Sequence, residues 1–220
     1  MEGSRVTTTP RARDSSVAPV QWSRGRLACF SAGTLLALAA LVGPLHDLQF
    51  ELLTAHLLQN VVLAEWAPAL LVLGLPPELG GRLARLVPPW LGLPLWLLVY
   101  YAWHAPPLYD AALRHPDSLL QAEHLSYLVA GAALWLPVAH GPMGDGAKAG
   151  YVFAAFLLIS PLGLLLALVP DTVYSFYDGH WGLTALEDQQ IGGITMSSEA
   201  GVVFFAALAF FFARVVRDES

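Results

Sequence analysis

Apolar runs long enough to cross a bilayer recur along this chain, and they constrain its fold more than any other feature. An α-helix rises about 1.5 Å per residue, so a hydrocarbon core about 30 Å thick takes roughly 20 apolar residues. On that length, spans are expected near 27–44, 51–74, 90–105, 118–139, 149–170 and 188–213. Only 13% of the 220 residues are charged, against about 25% in an ordinary soluble domain. The runs are rich in Leu, Ala and Gly with frequent Pro, as in helical bundles rather than alternating barrel strands. The expected fold is therefore all-α, a polytopic membrane helical bundle of about six transmembrane helices occupying 24–220 as one domain. Residues 1–23 are polar with no central apolar run, and read as a disordered arm rather than a cleaved signal. The third run is short, and Ala105-Pro106-Pro107 should end or kink it. The following "PPLYDAALRHPD" reads as an interfacial segment. A single cysteine, Cys29, excludes both an intramolecular disulfide framework and a CxxC site.

Basic residues orient such a bundle. Ten of the 11 Lys and Arg residues fall in the N-terminal arm, the second and fourth loops and the C-terminal tail, and Arg114 alone falls elsewhere. By the positive-inside rule both termini are expected in the cytoplasm. That orientation puts six of the 7 histidines on the outer side, with His140 alone inside. His56 then lies just below the outer surface on the second span, His104 at the outer end of the third and His124 in the first turns of the fourth. The last span opens there with "LEDQQ", Leu186 to Gln190.

This is an outward-facing cluster suited to an ion. Imidazole is the commonest protein metal ligand and suits copper, zinc and iron. His56, His104 and His124 come from three helices at matched depth and are the candidate metal ligands. Glu123 or Asp188 can orient a ligand imidazole, and Met196, two turns below Gln189, offers a soft thioether. The competing reading is that these residues hydrogen-bond one another and hold the helix ends together. Gly193, Ser197 and Gly201 follow a small-xxx-small spacing that points to close helix packing. Glu65 and Glu199 lie deeper and are expected to be neutral or paired. No HExxH, GxSxG or phosphate-binding Gly-rich loop is present, so no enzymatic activity is expected and no catalytic residue is assigned.

Four stretches carry a family resemblance: "HLLQNVVLAEWAPALLVLGLP" from His56, "WHAPPLYDAAL" from Trp103, "EHLSYLVAGAALWLPV" from Glu123 and "LEDQQIGGITM" from Leu186. In this order they resemble the CtaG-like cytochrome c oxidase assembly factors. The resemblance implies a multi-span protein of a bacterial plasma membrane that helps a haem–copper oxidase mature. It implies copper as the metal handled, an oxidase subunit as partner beside the lipid bilayer, and no nucleic acid. The family's first motif resembles His-x-x-Gln-His. Here His56 and Gln59 match, but Asn60 replaces the second imidazole, and Ser197 replaces the aromatic residue usual after Met196. Gln59, Asn60, Glu123, Asp188, Gln189 and Met196 are therefore expected as supporting groups. Three alternatives stay open: a b-type haem protein with two axial histidines, a small transporter using Glu65 and Glu199, and a metal-free structural assembly partner.

Overall fold

The computed structural model describes residues 22–218. The expected N-terminal arm therefore lies almost wholly outside the described residues. Helix α1 (Arg24–Val42) starts where the Ser23 hydroxyl accepts a hydrogen bond from the Arg26 N–H, capping an otherwise orphan donor. Extended Gly43 ends it, and Pro44, with no N–H to satisfy, opens α2 (Pro44–Leu48). Helix α3 (Leu53–Val61) continues through a π-helical turn, Val62–Trp66, into α4 (Ala67–Gly74). Helix α5 (Pro77–Leu86) meets α6 (Pro89–Trp103) at a bend of 78°. Next come α7 (Pro106–Arg114), a second π-turn (Pro116–Leu120), α8 (Gln121–His140), α9 (Asp145–Leu168) and α10 (Ala185–Asp218). No strand occurs among the described residues.

All six expected apolar runs fall on helices, and Ala105-Pro106-Pro107 does end α6, with Pro106 opening the short α7 where an interfacial segment is expected. Among the described residues, four stretches are long and apolar enough to cross a membrane, namely Arg24–Leu48, Leu53–Gly74, Asp145–Leu168 and Ala185–Arg217. The bent pair α5–α6 makes a fifth if it counts as one span. Helix α6 alone has only 15 residues. Helix α8 has 20 residues but is not apolar enough to stand with the other four. Its position explains why: it packs against α4, α5, α6 and the first π-turn, so much of its surface faces protein rather than lipid. Helical membrane protein is what these elements establish.

Small residues set the closest crossings. A side chain on Gly131 of α8 would overlap the Ala64 carbonyl of the first π-turn. On Gly193 of α10, a Cβ would stand 2.6 Å from the Gly163 carbonyl oxygen of α9. Gly193 and Ser197 thus seat α10 on α9, as their spacing suggests, whereas Gly201 has only ring carbons near it, at 3.8 Å or beyond. At the π-turn the Ala67 N–H reaches back to the Val62 carbonyl, one residue further than in an α-helix. Two indoles meet the carbonyls beside it: Trp96 Nε1 donates to Ala64 O at 3.2 Å and Trp135 Nε1 to Glu65 O at 3.1 Å. A backbone irregularity inside a membrane is tolerated only when protein groups satisfy it in this way.

Candidate metal site

Three helices bring the expected histidines to one end of the bundle. His56 sits on α3, His104 caps the C-terminus of α6 and His124 lies near the start of α8. All three are buried, as is Glu123. His140 lies at the opposite end, its Nε2 donating to the Val72 carbonyl at 2.8 Å. His56 and His124 stand edge to face with ring centroids 6.5 Å apart. His104 is set further off: the Tyr109 ring packs against His56 at 4.8 Å and against His104 at 5.8 Å. Among the described residues, no group of three or more His, Cys, Asp or Glu side chains is placed to surround one metal ion. The histidines form one cluster, but not a closed ligand cage.

The hydrogen-bond network fixes which nitrogens carry protons. His104 Nδ1 lies 2.8 Å from the Tyr100 carbonyl, which can only accept, so Nδ1 carries the hydrogen. The lone pair of neutral His104 is then on Nε2, and that atom has no partner among the described residues. At His56, the Tyr177 hydroxyl donates its only hydrogen to the Gln49 carbonyl at 2.8 Å. It can therefore only accept from His56 Nδ1, 3.4 Å away. The lone pair of neutral His56 thus falls on Nε2 and points at Glu123 Oε1 across 3.4 Å. Two acceptors face each other over that gap. A shared proton or a cation can bridge that gap. Glu123 Oε2 and both nitrogens of His124 also have no partner among the described residues.

Asn60 belongs to this face. Its Nδ2 donates to Glu123 Oε1 at 3.2 Å, one turn along α3 from His56. The remaining expected supporting groups are engaged elsewhere. Asp188 Oδ2 accepts from the Leu53 N–H at 2.6 Å and Oδ1 from the Thr54 N–H at 3.1 Å. Helix α3, whose Leu52 offers no side-chain cap, is thereby capped by a carboxylate from α10. Gln189 Oε1 accepts from the Val173 N–H at 2.6 Å, and its Nε2 donates to the Asp171 carbonyl at 3.2 Å. Gln59 donates to the Ala40 carbonyl of α1 at 2.8 Å. Met196 is buried within the apolar core. None of these four groups orients an imidazole; they hold backbone or fill space.

The connection 169–184 lies over the cluster as a strap, and sequence reasoning gave it no role. Tyr174 stacks on Tyr109 with centroids 3.9 Å apart, and its hydroxyl donates to the His104 carbonyl at 3.2 Å. Burial pushes the hydroxyls of Tyr174 and Tyr177 well above the ordinary tyrosine range, so both remain neutral donors. Asp110 pins the strap from α7 through the Ser175 and Phe176 N–H groups. Tyr127 places its hydroxyl 3.3 Å from His104 Nδ1, and Tyr100 stacks on the His104 ring at 5.0 Å. Five tyrosines thus wall the histidines. Tyr109 and Tyr127 sit inside the quoted "WHAPPLYDAAL" and "EHLSYL" stretches, beside the histidines, which is the only local signal of their part. Tyr174 and Tyr177 arrive from a distant loop.

The sequence model described as cytochrome c oxidase caa3 assembly factor matches residues 6–218, nearly the whole chain. The chain belongs to that family. No curated protein and no solved structure is similar enough to match. Membership makes this helical membrane protein an oxidase assembly factor, with the oxidase as its partner.

Proposed function

We propose that this assembly factor handles copper for the oxidase at the His56–Glu123–His124 cluster, with His104 completing the site when copper enters. In this reading the protein spans a bacterial plasma membrane six times with both termini cytoplasmic, the strap and cluster facing outward, and it carries out no catalysis of its own. The observation that supports it is the gap between His56 Nε2 and Glu123 Oε1, two acceptors 3.4 Å apart in a fully buried site. Unpaired nitrogens on His104 and His124 stand near it. Buried polar atoms normally find partners, and a cluster of idle acceptors is a place for a cation. Copper is cargo here. It arrives, is held by imidazoles with Glu123 supplying charge, and leaves toward the oxidase. Release is favoured by the incomplete cage, which Asn60 leaves one imidazole short.

A Cu(I) competition titration against a chelator tests this on the purified full-length protein. Binding should weaken at least about tenfold in His56→Ala, since such sites lose 10–100-fold even when an outer partner is removed. Cells lacking the protein should assemble oxidase with less copper at near-normal polypeptide levels. Absence of copper binding, with normal oxidase copper in the deletion, would overturn the reading. The engagement of Asp188, Gln189 and Gln59 on backbone favours a second reading, a metal-free structural partner. It predicts oxidase association unaffected by His56→Ala.

A further inference from the structure

The strap 169–184 carries Tyr177 to His56 between two anchors. Upstream, Asp110 accepts from the Ser175 and Phe176 N–H groups, and Phe176 packs edge to face on Tyr177 with centroids 5.2 Å apart. Downstream, Gly179 turns the chain at φ +90°, where an added Cβ would stand 2.6 Å from the Leu183 carbonyl oxygen. The Leu183 N–H returns to the His180 carbonyl, and the Trp181 indole donates to Glu51 at 2.8 Å. Tyr177 is thereby held with its hydroxyl 2.8 Å from Gln49 O and 3.4 Å from His56 Nδ1. Gln49 is itself fully buried, so its carbonyl depends on that hydroxyl for a hydrogen bond.

A neutral imidazole has one hydrogen to place. Glu123, facing His56 Nε2 at 3.4 Å, is one acceptor for it. A hydrogen there would turn the gap into an ordinary His–Glu hydrogen bond and leave no lone pair for a metal. Tyr177 is the competing acceptor, at Nδ1. We propose that Tyr177 is a positioning residue, which keeps the His56 hydrogen on Nδ1 and so reserves Nε2, and the gap at Glu123, for the cation. This rests on the copper reading of the cluster and adds to it a residue that does not itself meet the metal. Two further contacts favour the Nδ1 position. Glu123 Oε1 already receives a hydrogen from Asn60 Nδ2 at 3.2 Å. A cation in the gap also needs both facing lone pairs, which only a hydrogen on Nδ1 leaves free. A ligand imidazole is generally oriented by donating its other N–H to a fixed acceptor, and losing that acceptor costs about 10–100-fold in metal affinity. His104 finds this acceptor in the Tyr100 carbonyl of its own helix. His56 takes it from a segment 121 residues away, which gives the strap a direct hold on the cluster.

The test uses the full-length protein in detergent, metal-free and with isotope-labelled histidine. Long-range proton–nitrogen correlations are read at a pH where free imidazole is neutral. The His56 pattern is the one missing from His56→Gln. In the wild type His56 should carry its hydrogen on Nδ1. Tyr177→Phe keeps the ring and removes the acceptor, so the hydrogen should move to Nε2, toward Glu123. Cu(I) competition titration of the same variant should show affinity lowered by about tenfold, the lower end of the range for a lost outer partner. A wild-type His56 with its only hydrogen on Nε2 overturns the proposal before any variant is made, so a misfolded Tyr177→Phe cannot shield it. A variant that keeps its helical circular dichroism and its Nδ1 hydrogen also overturns it, and with normal copper binding leaves the copper reading standing. A moved hydrogen with unchanged copper affinity means that His56 Nε2 is not a ligand atom, which overturns it as well. No Cu(I) binding by the wild type sinks the copper reading, and the role of Tyr177 toward a metal falls with it wherever the hydrogen sits.

Discussion

The histidine-bearing end of the bundle and its middle treat a buried carboxylate in opposite ways. At the end, Asp188 has both oxygens engaged by the first N–H groups of α3, and Glu123 has one oxygen shared between His56 and Asn60. In the middle, Glu65 is equally buried, yet neither of its oxygens meets a donor at hydrogen-bonding geometry, and the donor closest to acting on it is the Tyr100 hydroxyl. Its own backbone carbonyl is nevertheless capped by Trp135. Burial therefore does not measure what an acid does here. The number of donors aimed at it does, and substitution effects should follow that number.

Asp188 should carry the largest effect. Asp188→Ala leaves the buried Leu53 N–H and the part-buried Thr54 N–H without this acceptor, at about 1–3 kcal/mol for an unsatisfied buried group, and removes a carboxylate matched to the positive end of α3. A loss of about 3 kcal/mol is expected, read as a lowered midpoint of denaturant unfolding in detergent. The ranking breaks if Asp188→Ala is better tolerated than a change at Glu65.

How much of this was legible in the sequence depends on the range of the interaction. Run length placed the long apolar helices, four of them long and apolar enough to cross a membrane, and proline placed the break after His104, because both act within a few residues. Histidine spacing also located the cluster, since charge and polarity at a helix end need no knowledge of the neighbouring helix. Asp188 was legible as a polar group at the right end, but its capping of Leu53 and Thr54 joins residues far apart in sequence. The strap was illegible for the same reason: nothing near Tyr174 or Tyr177 announces His104 or His56. The π-turn at Val62–Trp66 reads as ordinary helix, because its cause is the indoles of Trp96 and Trp135 waiting on other helices. The apolarity of α8 was overestimated, since a helix surrounded by protein can carry Glu123 and His124 without meeting lipid.

A smaller effect is expected where a carboxylate is half engaged. Asn60 already points its amide at Glu123, so Asn60→His places an imidazole beside the His56–Glu123 gap. If that gap takes copper, Cu(I) affinity should rise by about tenfold, which corresponds to about 1.4 kcal/mol. His56→Ala added to Asn60→His should erase most of that gain. Competition titration of wild type, single and double variants gives the answer. Equal affinity in all three would leave the cluster a hydrogen-bonding device and favour the metal-free reading.

The smallest effect belongs to Glu65. Tyr100 and Glu199 are the ionisable groups that act on it, and neither brings a positive charge. Glu65→Gln keeps the shape of the side chain, removes its capacity to ionise and puts an amide NH2 where one oxygen stood. The features that hold the π-turn, the two indole donors to Ala64 O and Glu65 O, remain in place. Stability should therefore fall by less than in Asp188→Ala, where two N–H groups lose their acceptor. Denaturant unfolding in the same detergent as for Asp188→Ala puts the two acids on one scale. A loss at Glu65→Gln as large as at Asp188→Ala would mean that the carboxylate is charged and matched by an ion held within the bundle. The contrast between the two regions would then be one of which ligand is bound, not of how many donors the fold supplies.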